Sequence, residues 1–334
     1  MKTDPKKAHT AKEFKCPAPL INGRFHPSGK SFFATAEDRT ITRIDLGSEK
    51  QTVYAGHESW VRGIAFSQDG KTVITSGFDD TLIWWPAEDD KPSPIRTVKA
   101  HDGWIRALTV SPDGKLLASA GNDRIIRLWN TDDGKKIREL KGHKRDIYSL
   151  QFHSSGKHLI SGDLMGKIHQ WEVATGKLER SFEGKDLHTF NKGQDVDYGG
   201  IRSIAFNADE SQLICGGLHK GTNPLGAVNE PLILRFDWEK QEILKKHPAA
   251  GIRGVVWRNL FHPDGYIMAG VGGSSGGHLI FWKPEEEKPF HKFKLRDTVR
   301  EMDLHPDGMQ VATVHWDRKV RINRLAAKEA KPKK

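Results

Sequence analysis

A short polar turn recurs along this chain, and its spacing limits the possible folds more than any other feature. The turns read HPSGK, SQDGK, SPDGK, HSSGK, NADES, HPDGY and HPDGM, and their fourth residues are Gly29, Gly70, Gly114, Gly156, Glu210, Gly265 and Gly308. Successive turns are 41, 44, 42, 54, 55 and 43 residues apart. Such a period is typical of repeat proteins in which each repeat is one small structural unit. The sequence therefore predicts seven copies of one unit.

Each unit contains four short segments that favour β-structure. In the second unit VRGIAFS, KTVITSG and TLIWWPA are bounded by Asp-Gly and Asp-Asp turns, which predict antiparallel hairpins, and PIRTVKA follows as a fourth segment. The two long intervals contain FEGKDLHTFNKGQDVDYGG and LHKGTNPLGAVNEP, which we interpret as loop insertions. Sheets closed into a ring leave few exposed strand edges. We therefore predict an all-β protein, a single seven-bladed β-propeller of four-stranded antiparallel blades.

The seventh unit supplies only three strands of its own, VREMDLH, QVATVHW and KVRINRL. The segment AKEFKCP, residues 11–17, precedes the first complete unit, and we expect it to form the missing strand and close the ring. The predicted domain organisation is a basic tail at residues 1–10, the propeller at residues 11–328 and a Lys-rich tail at residues 329–334.

Composition argues against several classes of function. The net charge is +10, but residues 1–15 and 326–334 carry +3 each, which leaves only +4 for the body and gives no evidence of a phosphate-binding stripe. No apolar run is long enough to span a membrane, and the N-terminus is charged where a signal peptide would be apolar. Cys16 and Cys215 lie too far apart for a zinc motif. We predict a cytoplasmic protein without membrane attachment, metal or cofactor.

The repeat resembles that of the WD-repeat family of β-propellers. The resemblance rests on the period, on GH or AH dipeptides ending at His57, His101 and His143, and on the strand ends LWN and QWE. It covers about residues 12–328 and is strong in units two to four. In units one, five, six and seven the terminal Trp position holds Ile44, Phe236, Trp282 and Asn323.

His101, Ser119 and Asp123 in the third unit are the residue types of a hydrolytic triad. No G-x-S-x-G surrounds Ser119, and the second unit has Thr75 at the same position, so the pattern disfavours a nucleophile. A buried indole, hydroxyl, imidazole and carboxylate can instead satisfy one another's hydrogen bonds. The family resemblance implies such structural tetrads at His57, Thr75, Asp79 and Trp85, and at His101, Ser119, Asp123 and Trp129. Unit four offers His143, Ser161 and Trp171 but has Met165 at the acid position, which predicts a weaker network.

A second regularity lies at the start of each predicted innermost strand. The residue there is Ile21, Arg62, Arg106, Tyr148, Arg202, Arg253 and Arg300 in successive units. The family resemblance implies that this position rims the central channel. One interpretation is that each Arg pairs with a local acid such as Glu58, Asp102 or Asp297. The other is that converging guanidinium groups repel one another and need an anionic ligand.

Aromatic residues accompany these arginines. Trp60 and Trp104 lie two positions before Arg62 and Arg106, and Phe78 and Trp316 precede the turn Asp of their units. The resemblance implies that they share the arginine face, where they either form a binding hot spot or pack over a neighbouring blade. His26, His153, His262 and His305 recur at the blade period, so they cannot meet at one metal, and we expect them in solvated turns.

The leading functional hypothesis is a non-catalytic scaffold, a monomer or a subunit of a hetero-complex, that docks acidic or phosphorylated peptides or protein partners on the Arg- and Trp-rich channel face. One alternative is a subunit of a larger complex that binds through the propeller edge. A nucleic-acid-associated propeller is a second, disfavoured by the modest charge of the body. A propeller hydrolase would need acidic or His metal ligands at the channel, where the inner strands offer arginine instead.

Overall fold

The computed structural model describes residues 2–222 and 229–328. Within these residues the chain forms seven four-stranded antiparallel sheets, the blades of a propeller. In chain order, β1 is His9–Lys15, and blade 1 contains β2 (Leu20–Phe25), β3 (Ser31–Ala36), β4 (Thr40–Asp45) and β5 (Gln51–Ala55). Blades 2 and 3 contain β6 (Val61–Phe66), β7 (Thr72–Gly77), β8 (Thr81–Pro86), β9 (Arg96–Lys99), β10 (Ile105–Val110), β11 (Leu116–Gly121), β12 (Ile125–Asn130) and β13 (Lys136–Lys141).

The second half of the ring repeats this order. Blade 4 contains β14 (Ile147–Phe152), β15 (His158–Asp163), β16 (Lys167–Glu172) and β17 (Leu178–Glu183). An additional hairpin follows, with β18 (His188–Asn191) and β19 (Val196–Gly199). Blades 5 to 7 contain β20 (Ser203–Phe206), β21 (Gln212–His219), β22 (Glu230–Asp237), β23 (Ile243–Pro248), β24 (Val255–Phe261), β25 (Ile267–Gly273), β26 (Gly276–Trp282), β27 (His291–Leu295), β28 (Val299–Leu304), β29 (Gln310–His315) and β30 (Lys319–Arg324).

The hydrophobic core lies between neighbouring blades. Each first strand contacts the first strands of both neighbours, in the closed order β2, β6, β10, β14, β20, β24, β28 and back to β2. Alternate residues of a strand point to opposite faces of its sheet, so one strand serves two interfaces. In β8 the buried Trp84 packs toward blade 3, whereas the buried Trp85 packs toward blade 1. Both faces of each blade are thereby covered, which explains why consecutive core residues in these strands are apolar.

The ring is closed by the N-terminal strand. β1 pairs antiparallel with β30, and Phe14 is buried in the cluster shared by blades 7 and 1. Glu13 accepts hydrogen bonds from Arg321 Nε (3.0 Å) and Lys319 Nζ (2.8 Å). The strand begins at His9, two residues before the predicted boundary. The N-terminal segment also contacts blade 6, where the Thr3 amide donates to Asp264 Oδ2, and the predicted Lys-rich tail at 329–334 lies outside the described residues.

The interpretation of the first long insertion as a loop is wrong. A 3₁₀ turn at Lys185–Leu187 leads into the β18–β19 hairpin, and His188 Nε2 contacts Asp197 Oδ1 at 2.8 Å across the two strands. Alternating β-prone residues around a polar NKGQD turn carry the hairpin signal. Asn191 Nδ2 donates to the carbonyl of Thr222 (3.1 Å), next to the second insertion. Residues 223–228 of that second insertion lie outside the described residues.

We expected the four turn histidines in solvated turns, but the structure places them in contact with the next blade. Each accepts a backbone N–H or a hydroxyl at Nδ1 from its own turn and uses Nε2 to reach the next blade. The three Nε2–H groups that donate to a carbonyl are His26 to Gly70, His262 to Gly308 and His305 to Gly29, at 2.8 to 2.9 Å. His153 Nε2 lies 3.1 Å from Glu210 Oε2. The turns of adjacent blades lie side by side, so residues at the blade period link neighbours instead of facing water.

A β-bulge at the start of most innermost strands positions the candidate site. In blade 2, Val61 pairs with Gly77 and Gly63 pairs with Ser76, which leaves Arg62 as the extra residue. Such a residue has no ladder partner, and its side chain is turned away from the regular alternation. The extra residues of six blades are Ile21, Arg62, Arg106, Tyr148, Trp257 and Arg300. In blade 5, Arg202 stands just before β20 and its amide donates to the carbonyl of Gly216.

Candidate functional site

The predicted tetrad residues of blades 2 and 3 lie together in buried relays of hydrogen bonds. In blade 2, Trp85 Nε1–H donates to Thr75 Oγ1 (2.9 Å), the Thr75 hydroxyl donates to His57 Nε2 (2.8 Å), and His57 Nδ1–H donates to Asp79 (2.9 Å). The order of donors assigns the histidine as neutral with its proton on Nδ1.

Blade 3 repeats the relay and tests the triad reading directly. Trp129 donates to Ser119 (2.8 Å), Ser119 contacts His101 Nε2 (2.7 Å), and His101 Nδ1 lies 3.0 Å from Asp123. Ser119 has no solvent-exposed surface. Its hydroxyl already donates to one ring and accepts from another, so it is neither free nor accessible as a nucleophile. Burial lowers the pKa of His101, in keeping with a neutral imidazole.

The tetrad carboxylates are ionised at neutral pH. Burial by itself raises the pKa of Asp79, but hydrogen bonds from His57, Thr81 and the Glu58 amide hold it well below its usual range. The pKa of Asp123 is lowered in the same way, with Arg127 as a further hydrogen-bond donor. These carboxylates anchor the channel-face loops that carry the candidate site.

Blade 4 has a complete relay, so the expectation of a weaker network does not hold. His143 Nδ1 lies 2.9 Å from Asp163, its Nε2 lies 2.6 Å from Ser161, and Trp171 donates to Ser161 (2.8 Å). Asp163 is the last residue of β15, two positions before Met165, and is fully buried. A search of the sequence at fixed spacing missed it, because its side chain reaches the histidine from the strand instead of from the loop.

Blade 7 builds the relay from other residues. Asn323 Nδ2 donates to Thr313 Oγ1 (3.0 Å), Thr313 contacts His315 Nε2 (2.8 Å), and His315 Nδ1 donates to the carbonyl of Asp297 (2.9 Å). His315 Nδ1 or Nε2, Asp297 and Asp317 also offer ligand atoms within 4.8 Å of one another. Both ring nitrogens of His315 are already hydrogen-bonded, and Asp317 pairs with Arg321. This cluster is therefore occupied by its own contacts.

The bulge residues converge on the mouth of the central channel. They line a cavity of about 180 Å³, here called the mouth cavity, formed by Ile21, Trp60, Arg62, Phe78, Arg106, Tyr148, Arg202, Trp257 and Arg300. Seven blades each contribute one residue from the start of the innermost strand. The bulges explain the convergence. A bulge breaks the regular alternation of the strand, so the side chain of the extra residue points toward the channel axis.

Arg253 is not part of this ring. Its side chain is exposed, its amide donates to Ser275 Oγ (2.8 Å), and it precedes β24. Blade 6 contributes Trp257, the bulge residue four positions later. The sequence GIRGVVW resembles GIRSIAF of the preceding unit, but the inner strand of blade 6 starts later relative to this motif. The prediction for Arg253 was therefore wrong by a shift in register.

Two of the four mouth arginines have acidic partners. Arg300 Nη1 lies 2.7 Å from Glu37, and Arg106 Nη2 lies 3.9 Å from Asp146. These acids differ from Glu58, Asp102 and Asp297, the partners considered from sequence. Arg62 and Arg202 have no carboxylate within 4 Å among the described residues, and they donate to the carbonyls of Ile21 (3.2 Å) and Gly199 (2.8 Å).

Further charge lies below the mouth. Arg24 and Arg258 line the channel, where Glu301 lies 3.6 Å from Arg24. Burial lowers the pKa of Arg62 to about 10, opposed by the charge of Glu301 and assisted by Arg24, Arg300 and Arg202. Burial also lowers the pKa of Arg202. The channel axis is therefore a region where positive charge is desolvated and only partly compensated.

Aromatic rings continue the mouth onto the outer surface. Phe78 stacks on Trp104 with ring centroids 4.4 Å apart, and Trp60 stacks on Phe78 at 6.0 Å. Trp60 and Trp104 remain 42% and 45% exposed despite this packing. We call the three rings the aromatic ladder.

Guanidinium groups connect the ladder to the mouth. Arg106 lies over Trp104 (5.3 Å) and Tyr148 (4.7 Å), and Arg202 lies 3.7 Å from the centre of the Tyr148 ring. On the other side, Arg300 lies over Trp316, which is 51% exposed. The ring faces hold the guanidinium groups in place through cation–π contacts. The structure therefore places the predicted Trp60, Phe78, Trp104 and Trp316 on the arginine face.

Comparison with known proteins agrees with the propeller fold. A family model described as "WD domain, G-beta repeat" matches residues 48–86, 92–130, 134–172 and 287–322. The chain is similar to Transcription initiation factor TFIID subunit 5 of Caenorhabditis elegans, 24% identical over 160 residues, which is 48% of this chain and 24% of the relative.

Two further relatives match shorter stretches. Nuclear distribution protein PAC1 of Ajellomyces capsulatus (strain H143) is 34% identical over 92 residues, covering 27% of this chain and 20% of the relative. Protein ROOT INITIATION DEFECTIVE 3 of Arabidopsis thaliana is 31% identical over 70 residues, covering 21% and 13%. The matched stretches thus span a quarter or less of each relative. Across the described part of the chain, none of the helices is long and apolar enough to cross a bilayer.

Proposed function

This chain belongs to the WD-repeat family of β-propellers, and from that premise we propose that it is a non-catalytic scaffold that docks protein partners at the channel mouth. The partner segment that fits this face is acidic or phosphorylated. The observation that carries the proposal is the convergence of Arg62 and Arg202, which have no carboxylate partner in the described part of the chain, with exposed aromatic rings around one cavity.

Physical arguments support a protein ligand at this face. Arginine and tryptophan are the residue types that contribute most binding energy at protein interfaces, especially around a desolvated pocket. An anionic segment would relieve the repulsion among the mouth arginines, while its neighbouring residues would cover the aromatic ladder. The rings and guanidinium groups are held by their mutual contacts, so little side-chain freedom is lost on binding.

The names of the relatives fit a role in assemblies. One is named as a subunit of a transcription initiation factor and another as a nuclear distribution protein. We propose that the present chain likewise acts through partner proteins, as a monomer that recruits them or as a subunit of a hetero-complex. The two buried, unpaired cysteines, Cys16 and Cys215, are in keeping with the proposed cytoplasmic location.

Binding to an immobilised peptide panel tests the proposal. The panel contains acidic, phosphorylated, uncharged and basic peptides of equal length. We expect the wild-type protein to retain acidic or phosphorylated peptides selectively, and Arg106→Glu with Arg202→Glu to abolish their retention, because two attractive charges become repulsive.

A charge-matched variant on the opposite face serves as the control. Lys71→Glu with Lys177→Glu reverses the same number of charges at exposed positions in the turns on that face, and we expect it to bind like the wild type. Circular dichroism and thermal unfolding establish that the variants are folded. Undiminished binding by the Arg106/Arg202 variant, or equal loss in both variants, would reject the mouth as the docking site.

A further inference from the structure

Two donors at the channel mouth have no acceptor among the described residues. Arg202 Nε and Trp257 Nε1 are both buried and make no hydrogen bond to this part of the chain. Both side chains line the mouth cavity. A buried N–H without an acceptor is destabilising, because it has lost its hydrogen bonds to water. The unmade bonds therefore indicate the position of an acceptor that the described residues do not supply.

The charge balance points to the same place. Glu37 and Asp146 accompany Arg300 and Arg106, whereas no carboxylate lies within 4 Å of Arg62 or Arg202 among the described residues. The mouth thus has two uncompensated positive charges beside the two free N–H groups. The lining of the mouth cavity therefore combines an excess of positive charge with two side chains that carry unsatisfied donors.

We propose that the mouth cavity binds the phosphate group of a phosphorylated side chain on a partner protein, held by Arg62, Arg202 and the indole N–H of Trp257. This inference rests on the proposed docking function and specifies its ligand. A phosphate monoester carries a charge of about −1.5 to −2 and three strong acceptor oxygens. It matches two guanidinium groups and one indole donor better than a carboxylate, which brings one charge and two oxygens.

The size of the cavity favours a side chain over a free ligand. Pockets for whole small molecules are about 300–1,000 Å³, whereas the mouth cavity is about 180 Å³. Below it the channel continues as a smaller space of about 50 Å³ that Arg24, Arg258 and Glu301 help to line. A single phosphate fits above this point, and the aromatic ladder lies where residues flanking the phosphorylated one would continue.

Nuclear magnetic resonance of the tryptophan indole groups tests the inference. The probe is a degenerate peptide library with phosphoserine at its centre, and the comparison libraries carry Glu or Ser there. The Trp257 indole resonance is assigned with Trp257→Phe. We expect the phosphoserine library to shift this resonance saturably. The Glu library should bind about tenfold more weakly or worse, because a carboxylate has one acceptor oxygen fewer than a phosphate and loses a hydrogen bond to a charged group.

Variants separate the uncompensated arginines from a paired arginine outside the mouth. Arg62→Met and Arg202→Met should each weaken phosphopeptide binding at least about tenfold. Arg43 pairs with Asp90 and does not line the mouth cavity. Arg43→Met with Asp90→Asn removes a cation together with its acid, leaves the net charge unchanged, and should bind within about twofold of wild type. Unshifted indole resonances of Trp85 and Trp129 would establish that each variant keeps its core.

Three results would overturn the inference. They are equal binding of the Glu and phosphoserine libraries, binding that survives both methionine variants, and a Trp257 shift with inositol hexakisphosphate but not with phosphopeptides. If acidic peptides bind through Trp60 and Trp104 without needing Arg62 or Arg202, the result supports the docking function and rejects the phosphate site. If no library binds at the mouth, the docking function itself fails.

Discussion

At the scale of single residues, the buried hydroxyl groups of blades 2, 3, 4 and 7 each stand in the middle of a hydrogen-bond relay. Thr75, Ser119, Ser161 and Thr313 accept from an indole or amide and contact a histidine ring. The acceptor at the far end differs: an aspartate from the loop, an aspartate from the strand, or a backbone carbonyl. The relay is thus defined by donor and acceptor order, and several residue types complete it.

Blade 4 provides a test of this view. Asp163→Ala leaves His143 Nδ1–H without its acceptor in a buried site, so we expect the free energy of unfolding to fall by about 1–3 kcal/mol. Met165→Ala, at the position where the repeat pattern places the acid, should have a much smaller effect. Urea unfolding of both variants makes the measurement. A larger loss for Met165→Ala than for Asp163→Ala would contradict the relay assigned to Asp163.

A second prediction concerns pH. Burial lowers the pKa of His315 to about 4, with Arg321 adding to the effect and hydrogen bonding to Asp297 and the charges of Asp297 and Asp317 opposing it. The unfolded chain binds the proton at about pH 6.5. Between these values the unfolded state holds more protons, so stability falls as the pH is lowered from about 6.5 to 4, on the order of 1–3 kcal/mol for this residue.

Unfolding free energies measured across that pH range check the prediction. His315→Asn should show a shallower slope than the wild type. Thr313→Val weakens the same relay without removing a titrating group, so it should lower stability and keep the slope. An unchanged slope in His315→Asn would show that the histidine does not contribute.

The family resemblance, applied at the spacing of the repeat, predicts the residues of the relays in blades 2 and 3, because fixed strand and turn lengths bring them together. It misses Asp163 and Trp257 for different reasons. A carboxylate can reach the same imidazole from two backbone positions, so no fixed offset identifies it. The position of Trp257 at the mouth depends on where the bulge lies in β24, and the pairing of β24 with β25 determines that place. The sequence around Arg253 resembles the motif of the other units and so hides this shift.

At the scale of strands, closure of the ring depends on β1, which belongs to blade 7 although it begins the chain. Deleting residues 1–17 exposes the edge of β30 and removes Phe14 and Glu13 from their contacts. We expect the melting temperature to drop by at least about 10 °C, or the protein to aggregate through the open edge. Thr3→Ala, which removes only the side-chain contacts of Thr3 with Asp264 and Tyr266, should melt close to wild type. An unchanged melting temperature after the deletion would count against this closure.

Strand-level features also divide into those that sequence patterns predict and those that they do not. Apolar runs and Asp-Gly turns predict the blades, because both reflect local backbone preferences. The β18–β19 hairpin was missed because its strands are only four residues long and it lies between two units, outside the four-segment pattern of the repeat. The links made by the turn histidines were missed because they depend on how neighbouring blades sit beside one another.

At the scale of the whole molecule, one repeated backbone irregularity creates one site. Each blade contributes a residue from the start of its innermost strand, and the closed ring brings these residues to a common opening. The period of the repeat predicts the ring, and the family resemblance implies the arginine face. Which arginines keep an acidic partner depends on residues from other loops, such as Glu37 and Asp146, and so requires the folded structure.

Amide hydrogen exchange, with and without a saturating peptide or protein partner, tests most directly that this opening is the docking site. The account predicts slower exchange in the segments at the mouth, residues 57–63, 101–107 and 187–202, with the turns at Gly70, Gly114 and Gly156 on the opposite face unchanged. Protection confined to those turns or to the outer strands β9 and β13 would contradict it.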